Sequence, residues 1–327
     1  MAGDSGEAIA GLYLRFAERE AQGRSPLYER LARGVAEDRT ALDFLGELPP
    51  PKRQPNLLFA AVQFLAGAPR DWSHFRAVLG DRRAEVRHVM LTRRTQTNEP
   101  ARCATLLPVL SGLPQPLALL EVGAAAGLCL LPDRYAYDYD GDYLPPAVPG
   151  AARPPTFACR TSGPVPRPGG VRVAWRAGLD LEPIAVDDDT QVAWLEALVW
   201  PGEGDRLARL RAALRIARED PPVVVTGDLR TSVAALAAQA PRSATLVVFH
   251  SAVLTYVTDT EDRAEFARSV RELGAVWISN EAPAVFPDAA AKVLASRPLG
   301  HFLLAVDGEP VAWTDPHGAS IDWIEAR

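Results

Sequence analysis

The sequence predicts an α/β chain in two parts. An all-helical N-terminal region covers residues 1–116, and residues 117–327 form an open, mostly parallel sheet. Three observations predict this. Up to about residue 110, apolar residues recur at helical spacing. From Leu117 onward, short aliphatic runs alternate with helical stretches, which implies parallel strands joined by right-handed crossovers. The stretch Leu117 to Asp140, LALLEVGAAAGLCLLPDRYAYDYD, reads as strand, small-residue turn, helix, strand and acid. Open α/β sheets hold nucleotide-like ligands with that order, at the carboxyl ends of their strands.

The helical elements follow from spacing and caps. Ile9, Leu12, Tyr13 and Phe16 lie on one helix face. Ser25-Pro26 is a cap with proline at the first helical position, opening Leu27 to Arg33. Thr40 to Leu48 is a further short helix, closed by the proline-rich break Pro49 to Pro55. Asn56 is placed to cap Leu57 to Ala66, a helix apolar almost all round and therefore central to its domain. Trp72 to Leu79 follows, and Asn98 is placed to cap Glu99 to Leu110.

In the α/β region, strands are expected at Leu117 to Val122 and Tyr135 to Tyr139. An insertion, residues 140–221, comes next. Its first part, Tyr143 to Gly170, holds eight prolines and precludes regular structure over much of its length. Val171 to Trp175 has the composition of an extra strand, and Val192 to Val199 and Arg206 to Arg218 read as helices. The alternation then becomes regular, with strands at Val223 to Thr226, Ala244 to His250 and Ala275 to Ser279. Helices separate them at Ser232 to Gln239 and Glu261 to Leu273, and another lies near Ala289 to Ala295. Asp307-Gly308, between the runs His301 to Val306 and Pro310 to Thr314, is a hairpin signal.

Composition limits the function. With 327 residues, 48% of them hydrophobic, the chain suits about two domains and a sizeable core. A net charge of −6 argues against nucleic acid held on a broad basic face and favours small molecules as partners. No uncharged apolar run reaches the roughly 18 residues of a membrane helix. Met1 to Gly11, with Asp4 and Glu7, lacks a signal peptide's basic leader, so a cytoplasmic location is expected. Cys103, Cys129 and Cys159 are odd in number and scattered, which fits a reducing compartment. The histidines are dispersed and no metal site is expected.

The order of elements, with Glu121-Val122-Gly123 and Gly127, resembles the class I S-adenosylmethionine (SAM) methyltransferase fold, a Rossmann-like sheet. That sheet has seven strands and ends in a hairpin that inserts one antiparallel strand. The likeness runs from Leu117 onward. Over nearly its whole length the chain is also similar to an uncharacterised bacterial family catalogued as domain of unknown function 2332. The stretches concerned are Ser25-Pro26-Leu27-Tyr28, Pro55-Asn56-Leu57-Leu58, Thr97-Asn98-Glu99, Glu121-Val122-Gly123 with Gly127, and Trp194 to Pro201.

The methyltransferase resemblance implies SAM as cofactor and assigns roles. Glu121 is the acid that closes the first strand. Gly123, Ala125 and Gly127 form the turn whose backbone approaches the methionine end. Asp138 or Asp140, with Asp138 nearer the strand end, accepts the ribose hydroxyls. Asp228 meets the adenine amine, with Asp180 as its rival. Asn98, Glu99 and Arg102 lie over the cleft, and Tyr256 lines it. His250 and Glu281, at carboxyl ends of strands, are the candidate bases, histidine having its pKa near operating pH.

Each residue also has a plainer use. The glycines allow close strand–helix packing, Asp228 caps a helix, and His250 can be a satisfied core histidine. The spacing fails a dinucleotide GxGxxG twice, at Ala125 and Leu128, and ExGxGxG once, at Ala125, a departure that is tolerable if φ stays negative. The function expected is methyl transfer from SAM to a small-molecule acceptor. Ala125 and the short span from Gly127 to Tyr135 motivate an alternative, a non-catalytic SAM- or nucleoside-binding or regulatory protein. A hydrolase using Ser251 and His250 is disfavoured, because neighbours on a strand point to opposite faces and no G-x-S-x-G elbow exists.

Overall fold

The computed structural model describes residues 2–96, 98–150, 153–293 and 300–325. The chain forms two compact units, Met1–Thr97 with Asp189–Ala208, and Asn98–Asp188 with Arg209–Arg327. The division therefore differs from a single cut at residue 116. The stretch 98–116 belongs with the sheet, and part of the insertion belongs with the N-terminal helices.

The first unit holds α1 (Ala2–Phe16), α2 (Pro26–Glu37), α3 (Arg39–Gly46), α4 (Pro55–Ala66), α5 (Trp72–Asp81) and α6 (Arg83–Thr92). Capping decides where several of them start. Ser25 Oγ accepts the Tyr28 N–H, and Asp38 and Asp71 do the same for the first turns of α3 and α5. Leu57 to Val62 of α4 are all buried, as expected of an almost wholly apolar helix. The Phe59 ring packs on Tyr13, Phe16, Tyr28 and Phe75, with centroids 4.8 to 6.0 Å apart. Trp194 and Trp200 join this core. Their indole N–H groups donate to Arg94 O and to Asn56 Oδ1. Asn56 thus serves a tryptophan, and Pro55 starts the helix in its stead.

The second unit opens with α7 (Arg102–Gly112) and β1 (Leu117–Val122), then β2 (Ala136–Tyr139), β3 (Asp142–Leu144), β4 (Thr156–Ala158), β5 (Arg160–Ser162) and β6 (Val173–Asp180). The chain leaves for α8 (Asp189–Ala197) in the first unit and returns along α9 (Gly204–Glu219). There follow β7 (Val223–Thr226), α10 (Leu229–Ala237), β8 (Thr245–Ser251), α11 (Thr260–Glu272), β9 (Val276–Glu281) and α12 (Pro287–Ala291). Three strands end the chain, β10 (Phe302–Val306), β11 (Glu309–Thr314) and β12 (Ser320–Trp323). The helix expected near Ala289 to Ala295 is α12, and residues 294–299 lie outside the described ones.

Among the described residues nine strands form the main sheet, in the order β5-β12-β11-β10-β9-β8-β1-β6-β7. The five from β7 to β9 are parallel, and β10, β11 and β12 continue as antiparallel neighbours. The hairpin turns at Asp307-Gly308, as the dipeptide predicts. Its strands follow one another in chain order, so no last strand is inserted. Core from β1, β6, β8 and β9 meets α10 and α11 through Val233, Leu236, Phe266 and Val270. Among the described residues no helix is long and apolar enough to cross a membrane.

One strand assignment is corrected. Tyr135 to Tyr139 does not supply the second parallel strand; β2 is the centre of a separate three-stranded sheet, β3-β2-β4. The place beside β1 opposite β8 is taken by β6, masked in the sequence by Arg176 at its middle. Arg176 forms a two-pronged ion pair with buried Asp133, at 2.9 and 3.0 Å. The tyrosines of β2 have another task. Pro108 inside α7 has no N–H to give Ala104 O, and the Tyr139 hydroxyl donates there at 2.7 Å.

Phe59→Ala removes the ring on which four aromatic neighbours converge. Its expected cost is about 3–5 kcal/mol, read from the urea unfolding midpoint of the variant against the parent.

Candidate functional site at the carboxyl ends of the parallel strands

In an open α/β sheet the ligand crevice lies where the chain's strand order reverses. Here that point is β1, with β6 and β7 to one side and β8 and β9 to the other. Register fixes which side chains share a face. Glu121 pairs with Phe249, and Ser251 pairs with Asn280. Alternation then puts Glu121, Ser251 and Asn280 on one face, and His250 and Glu281 on the other.

The turn after β1 is internally braced. Gly123 N–H and Ala124 N–H both donate to Leu179 O, at 2.7 and 3.2 Å, and Gly127 N–H donates to Ala124 O at 2.6 Å. Ala125 N–H donates to Asp180 Oδ2 at 2.8 Å, and Leu128 N–H to Asn98 Oδ1 at 3.2 Å. Asn98 also donates to Ala124 O, so it brackets the turn. Gly123 and Gly127 have φ of +73° and +69°. A Cβ on Gly123 would lie 2.2 Å from Val253, and one on Gly127 2.8 Å from Pro222. The bare faces of both glycines are therefore filled by protein. Ala125 does not keep a negative φ; it sits at +49°, held by Asp180 and by Ile184 N–H on its carbonyl.

The acids divide between this turn and local structure. Asp180, at the end of β6, accepts from Ala125 with one oxygen and from Glu182 N–H with the other. Asp138 and Asp140 belong to the β2–β3 hairpin. Asp138 accepts the Gly141 N–H at 2.7 Å, and Asp140 accepts the Thr161 N–H at 2.9 Å. Asp228 caps α10 and pairs with Arg230, which holds its carboxyl below the usual range.

His250 is fully buried. The Trp277 indole donates to its Nε2 at 3.0 Å, and Nδ1 faces Glu281 Oε1 at 2.7 Å. With Nε2 accepting, Nδ1 carries the proton and donates. Both ring nitrogens are thus engaged inside the core. Glu281 Oε1 also accepts the N–H groups of Val253 and Leu254, at 2.9 and 3.1 Å. It pins the segment that leaves β8, where Ala252 has φ +58°. Tyr256, in the turn beyond, is 71% exposed.

The other face carries a buried polar cluster. Arg102, 6% exposed, donates through Nε to Pro316 O at 2.8 Å and through Nη1 to Ser251 O at 3.2 Å. Glu99 accepts from Ala101 N–H and lies 3.8 Å from His317. Gly318 seals the cluster: a Cβ there would meet Ala101 O at 2.1 Å. Burial pushes the Glu121 carboxyl well above the usual glutamate range; Cys129 and Asp180 add to the rise, and Arg102 opposes it. Glu121 Oε2, Ser251 Oγ and Asn280 Nδ2 are buried without a hydrogen-bond partner. Thr314 Oγ1 donates to Asn280 Oδ1 at 2.7 Å and so fixes the amide.

The structure thus brings Asn98, Glu99, Arg102, Glu121, Gly123, Ala125 and Gly127 together, with Asp180 as the acid beside them. It sets His250 with Glu281 on the opposite face, and Asp138 and Asp228 apart. Asn280 has no role toward a ligand in the sequence, and Ser251 only that of the disfavoured hydrolase reading. The run Ser279-Asn280-Glu281 closing an apolar strand was the available signal. Among the described residues no group of three or more His, Cys, Asp or Glu is placed to hold a metal ion.

The family model described as "Uncharacterized protein conserved in bacteria (DUF2332)" matches residues 10–323. The chain belongs to that family. No curated protein and no solved structure matches it. Membership spans both units of this DUF2332 chain.

Two outcomes test the site. Relieving the left-handed strain, Ala125→Gly should stabilise the chain by about 1 kcal/mol, seen as a higher melting temperature. Glu121 stays protonated above the ordinary value of 4.5, so the folded state holds a proton that the unfolded chain releases. The stability from neutral Glu121 is therefore full below that value and falls as pH rises through the raised folded pKa. Glu121→Gln, always neutral, should gain stability over the parent as pH rises above 4.5, measured by denaturant titration at each pH.

Proposed function

We propose that this DUF2332 protein binds a small polar molecule at the carboxyl ends of its parallel strands and does not transfer methyl groups. The observation that carries the reading is the braced turn. The N–H groups of Gly123, Ala124, Ala125, Gly127 and Leu128 all have acceptors within the chain. A SAM carboxylate is normally met by such groups, and side chains fill the glycine faces where the ligand would approach. The turn in this form does not fit the cofactor. His250, with both nitrogens engaged and no exposure, gives no base toward an acceptor.

SAM-dependent methyl transfer to a small-molecule acceptor is the second reading. It is favoured by the reversal of strand order at β1 and by Asp180 at the end of β6, whose carboxylate keeps acceptor capacity for a ribose. The net charge of −6 favours a small molecule over nucleic acid as partner. Three buried, unpaired cysteines fit the cytoplasm.

Calorimetric titration with SAM and S-adenosylhomocysteine separates the readings, together with an assay for homocysteine-product release. The expected result is no turnover, with SAM either silent or bound without product. Release of S-adenosylhomocysteine with an acceptor present would sink the non-catalytic reading.

A further inference from the structure

The cluster under the turn of residues 315–318 holds donors that have no acceptor. Asn280, with no exposure, presents Nδ2 because Thr314 holds its oxygen. Ser251, its register partner on the next strand, presents a buried hydroxyl on the same face. Arg102 is fixed to the Ser251 carbonyl through Nη1 and to Pro316 O through Nε, which leaves Nη2 without a partner. No carboxylate lies within 4.0 Å of this guanidinium among the described residues. A buried cation without a counter-ion is costly unless something supplies one. Orphaned buried donors of an amide and a hydroxyl call for an acceptor in the same place.

We propose that Arg102, Ser251 and Asn280 form a subsite for the carboxylate of a small organic acid. The inference rests on the small-molecule-binding reading above and names its ligand class. One guanidinium balances one negative charge, and a planar carboxylate presents two acceptor oxygens to Nη2–H and Nδ2–H. The Ser251 hydroxyl takes a remaining lone pair. A phosphate dianion would bring a second charge beside Glu99, and an ammonium would meet Arg102. Glu121, on the same face, offers Oε2 to a polar group elsewhere on the ligand.

The test uses the full chain at constant ionic strength. Acetate, propionate and benzoate are compared with acetamide, propionamide and benzamide in thermal-shift titrations. Crystals soaked in 4-bromobenzoate locate the site by the anomalous signal of bromine. Saturable stabilisation by at least one acid is expected, with its amide at least about tenfold weaker, or ~1.4 kcal/mol. Asn280→Asp, which replaces the donor with an anion, and Ser251→Ala should each weaken the acid by a similar factor. Circular dichroism checks that both variants fold. Arg102→Gln is the stronger lesion, and the other two stand if it fails to fold. Equal response to acids and amides overturns the subsite, as does no response to any acid, or binding unchanged in Asn280→Asp. The SAM titration is read separately. Turnover with carboxylate binding intact removes only the non-catalytic reading, and no turnover with no carboxylate binding removes only the subsite.

Discussion

Where β1 ends, five backbone N–H groups come free within six residues, and each must find an acceptor because water is excluded. The turn itself supplies one, the Ala124 carbonyl for Gly127, and the rest come from the carbonyl of Leu179 at the end of β6, the carboxylate of Asp180, and the amide of Asn98 ahead of α7. That requirement ties the first helix of the sheet unit, the glycine turn and the strand after the insertion into one assembly. Moving the Asn98 segment or the end of β6 would orphan N–H donors in the turn. The positive φ of Ala125 is the visible cost of closing the arrangement.

Two glutamates at the ends of β1 and β9, one strand apart, show how facing decides chemistry. Glu281 and Glu121 are both almost fully buried. Glu281 accepts three N–H donors on a single oxygen and acts as a clamp for the chain leaving β8. Glu121 faces the opposite way, toward Arg102 and Cys129, and burial drives its carboxyl toward the protonated form. A one-residue slip of either strand would exchange these environments.

Much of the fold was legible because strong local signals agree with it. Ser25-Pro26 opens α2, the apolar run Leu57 to Val62 is the centre of its unit, and Asp307-Gly308 turns the last hairpin. What misled was chemistry that needs the third dimension. The Tyr135 to Tyr139 stretch reads as a sheet strand, yet its hydroxyls serve carbonyls, among them the one that Pro108 leaves open. The true neighbour, β6, hides behind Arg176, whose partner Asp133 lies 43 residues earlier. The site was half legible. Glu121 and the glycines announce a turn by spacing, but that Val253 fills the space before Gly123 cannot be read from spacing. Nor can periodicity reveal which atom of Asn280 is left over.

The first unit is assembled from two stretches of chain with most of the sheet unit's opening between them. Trp194 and Trp200 are core residues of the helical unit, yet they follow β1 and β6 in sequence. On the ribosome, the six N-terminal helices emerge with two aromatic places in their interior still empty. The strands β1 to β6 of the sheet unit are therefore synthesised before the helical unit has its full set of core residues. Neither unit can mature as a separate product of synthesis, and deleting either would leave the other with an open core or a severed strand connection.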